Sequence, residues 1–270
     1  MSEVLISKKT DQRPGTVLDV LFSPAEFAGL EERDLSQTTC VVFDILRATS
    51  TIVTALANGA QAIIPVLEIA EALALRREQP DLLLAGERNG VRILSQLTGS
   101  ISFDLGNSPR EFTTERIRER LIVLTTTNGT RALRACARAR SVLVGSFLNL
   151  RATADALQRE SPVRLLLICS GTFEEAAYED ALGAGALCAL LWPIYGAGAV
   201  SDSAQIARRL FLAEAADLST AVASSRNGRR LLAHKDLRDD VPFCLQRDRF
   251  NLVAELGKDG AVRVSPVRRA

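Results

Sequence analysis

The chain has 270 residues, of which 47% are hydrophobic and 24% charged, and its formal net charge is +1. That length can bury a substantial core in one large or two smaller domains. Near-neutral charge and only 5% aromatic residues exclude a strongly basic nucleic-acid surface, a stacking platform for single strands and an anionic-membrane surface.

Apolar, β-rich runs at 16–22, 40–45, 62–66, 82–85, 121–125, 141–145 and 164–169 alternate with helical runs at 50–58, 69–78, 88–97, 130–138, 150–160 and 176–191. The alternation predicts an α/β fold, layered α/β/α, with mostly parallel strands joined by crossover helices. The stretch from Cys40 to Glu87 is echoed from Leu121 to Thr172: strand, threonine-rich turn, helix, strand, Ala/Leu/Arg helix, strand. Two duplicated βαβαβ units account for this, one over residues 1–115 and one over 116–270 with a helical and strand extension. The plainer account is that all βαβ units look alike in sequence. The extension reads as helices at 201–216 and 219–233, then strands at 241–244 and 250–256, with Pro242 marking an edge. An Ala/Gly-rich segment at 181–199 suits either a buried core helix or close packing in a homodimer.

The opening MSEVLISKKTDQRP lacks the apolar run of a signal peptide, and no stretch is long enough to span a bilayer, so a cytoplasmic location is expected. Five cysteines, widely spaced and without a C-x-x-C pair, predict buried reduced thiols rather than disulfides or a zinc knuckle. One histidine, His234, cannot furnish the ligand sets of zinc hydrolases. A bound metal would therefore be held by carboxylates, which favours Mg²⁺ or Mn²⁺.

The segment Thr125-Thr-Thr-Asn-Gly-Thr130 closes an apolar strand and opens a helix, with Arg131 in the first turn. Unpaired N–H groups, hydroxyls and a guanidinium at such a junction suit an oxyanion, phosphate above all. An ordinary N-cap turn would use some of the same residues. In open α/β sheets ligands sit beyond the carboxyl ends of the strands. Those ends supply Asp44, Arg47, Thr49, Ser50 and Thr51; Gly86, Glu87 and Arg88; and Ser170 to Thr172, with Glu174, Glu175, Glu179 and Asp180 beyond. The turn-rich loop Phe103 to Pro109 brings Asn107 and Ser108. Carboxylates for a hard cation together with fixed donors for phosphoryl oxygens make up the equipment of metal-assisted phosphoryl chemistry. The tyrosine-phosphatase loop, the aspartyl-phosphate D-x-D-x-[TV] pattern and the P-loop are all absent from the sequence.

In Phe43-Asp-Ile-Leu-Arg-Ala-Thr-Ser-Thr51, Gly86-Glu-Arg88, Phe103-Asp-Leu-Gly-Asn-Ser-Pro109 and Thr125-Thr-Thr-Asn-Gly-Thr-Arg131, the chain resembles the 2-phosphosulfolactate phosphatase family. The resemblance continues through Glu179 to Gly185, Ser201 to Ala204, Gly228-Arg229 and Asp240 to Cys244. It implies a Mg²⁺-dependent phosphatase, with a small phosphorylated sulfonic acid as partner, that hydrolyses 2-phosphosulfolactate to sulfolactate and phosphate. In archaea that step belongs to coenzyme M biosynthesis. With the strand-end reading, it makes Asp44, Arg47 and Glu87 the expected catalytic residues, and Asp44, Glu87 and Asp180 the expected Mg²⁺ ligands. Thr126, Thr127, Asn128, Gly129, Thr130 and Arg131 would hold the phosphate, and Arg88, Asn107, Ser108 and Arg229 the rest of the substrate. The attacking group is either water or Asp44 itself. Two alternatives stand beside this reading: a phosphatase of another small phospho-acid, and a non-catalytic binder of small anions.

Overall fold

The structure, a computed structural model, describes residues 18–265 apart from Ala197. The opening segment and the first two residues of the strand expected at 16–22 lie outside the described residues. In chain order come β1 (Leu18–Leu21), α1 (Pro24–Phe27), β2 (Thr38–Phe43), α2 (Ala48–Ala57), β3 (Ala62–Pro65), α3 (Ile69–Glu78) and β4 (Leu83–Arg88). Three short elements follow: β5 (Val91–Arg92), α4 (Ser95–Thr98) and α5 (Thr114–Ile117). The second run is β6 (Leu121–Thr125), α6 (Gly129–Ala135), β7 (Ser141–Gly145), α7 (Leu150–Glu160), β8 (Arg164–Cys169) and α8 (Tyr178–Tyr195). Last are α9 (Asp202–Glu214), α10 (Leu218–Ala223), α11 (Arg226–Leu232), α12 (Asp240–Cys244), β9 (Ala254–Leu256) and β10 (Val262–Val264).

The strands form one sheet in the order β1-β8-β2-β7-β9-β10-β3-β6-β4-β5. Within β1-β8-β2-β7 and within β3-β6-β4 the pairings are parallel. The antiparallel β9–β10 hairpin joins these halves and reverses the strand direction between them. β2 lies between β7 and β8, and β6 between β3 and β4. Each of the two echoing stretches thus lends its first strand to the other's half of the sheet.

β2, TTCVVF, is buried at all six positions, as a strand covered on both faces must be. Its side chains divide by parity. Val41 and Phe43 join a core with α7, α8 and α9, whereas Cys40 and Val42 join a second core that also receives Ile63, Ile122 and Leu124 from the other half. That second core is shared because α2 and α6 are wedged between the two halves, contributing Ile52, Val53, Ala132 and Leu133. A third, smaller core covers the outer face of β3-β6-β4 with α3. Helix α7 shows how the pattern selects a face: Leu150, Thr153, Ala154 and Leu157 are buried at one-turn spacing, opposite Arg151, Gln158 and Arg159.

Four expected elements differ. The helix expected at 219–233 is two, α10 and α11, divided at Ser224 and Ser225, where the Ser225 hydroxyl caps the second. The helix expected at 88–97 is a hairpin turn and strand over 88–92, and only the short α4 (Ser95–Thr98) is helical there. Asn89 and Gly90 link β4 to β5 with both residues at positive φ (55° and 81°), the conformation a type I′ turn demands. The strand expected at 241–244 is helix α12, where Pro242 sits in the first turn and its missing N–H leaves no bond unmade. The strand expected at 250–256 is confined to 254–256. All five cysteines are free and buried, and no helix among the described residues is long and apolar enough to cross a membrane.

Within the Ala/Gly-rich segment, α8 packs along α9 at Gly185. A methyl group there would lie 2.0 Å from the Ala207 carbonyl oxygen. Gly185→Ala is therefore expected to cost about 1–3 kcal/mol by overpacking, read as a lower midpoint in urea unfolding. An unchanged midpoint would contradict this packing.

Candidate active site

The C-terminal ends of β2, β4, β6 and β8 open onto one cleft. Its walls come from the β2–α2 loop, the β4–β5 turn, the β6–α6 turn, the loop after β8 and helix α11. The two threonine-rich turns meet here. Gly129, the first residue of α6, lies so close to the β2–α2 loop that a Cβ on it would sit 2.5 Å from Ala48 Cβ and 2.7 Å from Asp44 Oδ2. Only glycine permits that approach.

Four carboxylates gather at the floor: Asp44, Glu87, Glu179 and Asp180, all less than a tenth exposed. Burial is the largest influence on Asp44 and, opposed in part by the Ala48 N–H and Arg47, is reinforced by the charges of Glu87 and Glu179. Together these push its carboxyl up to about 7. Asp180 is held well above the ordinary carboxylate range by burial first, then by Asp44 and Glu179. Backbone donors partly offset the desolvation. Asp44 Oδ1 accepts from the Ala48 N–H (3.0 Å), and Asp180 accepts from the N–H groups of Ile45 (2.8 Å) and Gly171 (3.1 Å). Glu87 is the most heavily engaged. Its Oε1 accepts from the N–H (2.8 Å) and hydroxyl (2.9 Å) of Thr127, and its Oε2 from the Gly90 N–H (2.6 Å).

Arg47 is buried and committed, donating to Asp240 Oδ2 at 2.7 Å and to the Gly90 carbonyl at 2.6 Å. Ser108 donates to the other oxygen of Asp240 at 2.6 Å, so helix α12 holds both residues in place. Thr126 and Thr130 bond across their own turn, each hydroxyl accepting from the other's N–H, and Gly129 and Thr130 lie behind the Thr126–Asn128 stretch that lines the cleft. Asn107 and Thr126 to Asn128 line the cleft as expected. Three expected arginines do not. Arg131 pairs with Glu174 at 2.6 Å, Arg88 donates to Thr125 Oγ1 and to the Leu67 and Glu87 carbonyls, and Arg229 turns to the Ser224 carbonyl.

The family model described as 2-phosphosulpholactate phosphatase matches residues 26–259. A protein of Pseudothermotoga lettingae named "Probable 2-phosphosulfolactate phosphatase" is 37% identical over 252 residues, which cover 93% of this chain and all of that one. One of the same name from Thermotoga petrophila is 40% identical over 218 residues, 81% of this chain and 88% of its own. The chain belongs to the 2-phosphosulfolactate phosphatase family.

In this family member the strand-end set includes Glu179 without giving it a role, and it omits Asn227 and Arg230. Glu179 is in the first turn of α8, and its Oε1 accepts from Asn227 Nδ2 at 2.5 Å while Oε2 is buried without a partner. Asn227 and Arg230 stand one turn apart on α11, both lining the cleft, and Asp240 anchors Arg47 from α12. The Asn-Gly pair at 89–90 was the available signal for the β4–β5 turn. The spacing of Asn227 and Arg230 was legible only once α11 was known to face the site.

The donor set fits a hard divalent cation. Asp44 Oδ2 accepts no hydrogen bond among the described residues, and Glu179 Oε2, Asn107 Oδ1 and Asn227 Oδ1 are buried oxygens without partners. No three His, Cys, Asp or Glu side chains among the described residues converge as a ready-made metal cage. Mg²⁺ commonly needs none, taking one or two carboxylates and keeping water or substrate phosphate in its other positions.

With divalent ions chelated, the folded state holds the Asp44 proton up to about pH 7, whereas the unfolded chain releases it near the ordinary aspartate value of 3.8. Stability from this group is thus full at low pH and is lost as pH rises through about 7. Urea midpoints of chelated protein should fall between about pH 5 and about pH 8, and less steeply in Asp44→Asn. Equal slopes in the two proteins would contradict the buried-carboxylate account.

Proposed function

We propose that this protein is a Mg²⁺-dependent phosphomonoesterase that hydrolyses 2-phosphosulfolactate to sulfolactate and inorganic phosphate. The observation that carries the reading is the junction of the Thr126–Asn128 turn with four buried carboxylates, in a chain of this family. Asp44 and Glu179, whose outer oxygens lack hydrogen-bond partners, would hold Mg²⁺, with Asp180 beside them. When bound, Mg²⁺ would supply positive charge against phosphoryl oxygens and lower the pKa of a coordinated water. Asn128 and the start of α6 at Gly129 orient the phosphoryl group, and Glu87 fixes that turn by gripping the Thr127 N–H and hydroxyl. Arg47, held by Asp240 and the Gly90 carbonyl, lines the cleft in a fixed position with its charge balanced by Asp240. Water attacks phosphorus, the phosphorus–ester oxygen bond breaks, and the sulfolactate alkoxide leaves with the proton that the attacking water gives up.

The test is phosphate release from 2-phosphosulfolactate, 2-phospholactate and phosphoglycolate, with Mg²⁺ and with EDTA. Release from 2-phosphosulfolactate that needs Mg²⁺, and that Asp44→Ala lowers by roughly 10³-fold in kcat, is the expected result. Release only from the other two acids would replace the substrate, and release from none would overturn the reading.

A further inference from the structure

The cleft carries four carboxylates, and the positive charge of Arg47 is already balanced by buried Asp240 at 2.7 Å. A ligand with an acidic group beyond its phosphoryl group would bring that charge against an acidic floor and needs another cation. Most arginines around the cleft are occupied. Arg131 pairs with Glu174, Arg226 with Glu175, and Arg110 with Asp239 and Asp240. Arg230 differs from all of them. It lines the cleft, and no carboxylate or carbonyl among the described residues accepts from its guanidinium. That group lies against the Gly90 peptide, with Nη2 and Cζ at 3.6 and 3.7 Å from where a Gly90 Cβ would stand. Gly90 is also the residue whose N–H holds Glu87 and whose carbonyl holds Arg47. Arg230 therefore stands at the mouth above the catalytic carboxylates, with its fork unspent.

We propose that Arg230 is the specificity-determining residue that binds the acid group remote from the phosphoryl group, a carboxylate or sulfonate, through its guanidinium fork. The proposal rests on the phosphomonoesterase reading above. Arg229, one position earlier, is the internal control. It is exposed, lies outside the cleft-lining set and donates to the Ser224 carbonyl.

The experiment compares Arg230→Gln, Arg230→Lys and Arg229→Gln with the unmodified protein on two substrates, 2-phosphosulfolactate and phenyl phosphate, which has no second acid. Arg230→Gln should raise KM for 2-phosphosulfolactate by roughly 10- to 100-fold, the range for a hydrogen bond to a charged group, with a smaller change in kcat. Its kcat/KM on phenyl phosphate should stay within about 3-fold of the unmodified value. Arg230→Lys should recover part of the loss, and Arg229→Gln should match the unmodified protein on both substrates. An equal loss on both substrates, or no loss on either, would overturn the proposal. Hydrolysis of phenyl phosphate as efficient as that of 2-phosphosulfolactate by the unmodified protein would also overturn it and leave the phosphatase reading standing. If no substrate is hydrolysed the phosphatase reading fails separately, and calorimetric titration with sulfolactate then decides Arg230. Binding weakened in Arg230→Gln and not in Arg229→Gln supports the assignment; binding that is equal in all proteins or absent overturns it.

Discussion

Two loops from opposite halves of the sheet touch at Gly129, and the arrangement of the site follows from that contact. With no side chain on Gly129, the start of α6 settles onto Ala48 and Asp44, and the β6–α6 turn faces the β2–α2 loop across a short gap. The approach is enforced from behind, because α2 and α6 share one apolar core between the halves. Carboxylates that would be solvated on separate loops are thereby brought into a common buried floor. Their mutual repulsion and desolvation are visible in the upward displacement of Asp44 and Asp180. Backbone N–H groups of Ala48, Ile45, Gly171, Gly90 and Thr127 offset part of that cost. What they leave unsatisfied, Asp44 Oδ2 and Glu179 Oε2, is where a cation would complete the balance.

The fold was readable because its strands and helices carry different periods. Buried runs such as VVF in β2 and LLLIC in β8 stand out against the one-turn spacing of Leu150, Ala154 and Leu157 in α7. Strand order was not readable. Nothing local in β2 or β6 records that each is placed between strands of the other stretch, since that exchange is decided by which faces α2 and α6 can cover together. Short elements were misjudged where one residue decides them. At Asn89-Gly90 the turn chemistry outweighs the helical composition around it, and a proline in the first turn of α12 fits a helix as well as an edge strand.

The strand-end residues of the site were legible for a reason of geometry: in parallel sheets, loops after strands converge. Asp44, Glu87, Thr126 to Asn128 and Asp180 all come together in this way. Arg47 was legible at the end of β2, but the other arginines were not, because a long side chain reaches in any of several directions. Arg88 and Arg131 leave the site for neighbouring acceptors, while Arg230, adjacent to the expected Arg229, enters it. The C-terminal helices contribute through residues far away in sequence. Asp240 fixes Arg47 across 193 positions and Asn227 fixes Glu179 across 48, pairings that only tertiary structure creates.

The most direct test of this account is Gly129→Ala, followed by Mg²⁺-dependent phosphate release and by circular dichroism. A methyl group at that position collides with Ala48 and Asp44 without touching the strands. The account therefore predicts a native spectrum with kcat/KM lowered by at least about 100-fold, the scale reached when reacting groups are displaced by about 1 Å. Full activity in the variant would mean that the two turns do not meet at Gly129 in the working enzyme, and the shared site described above would be wrong.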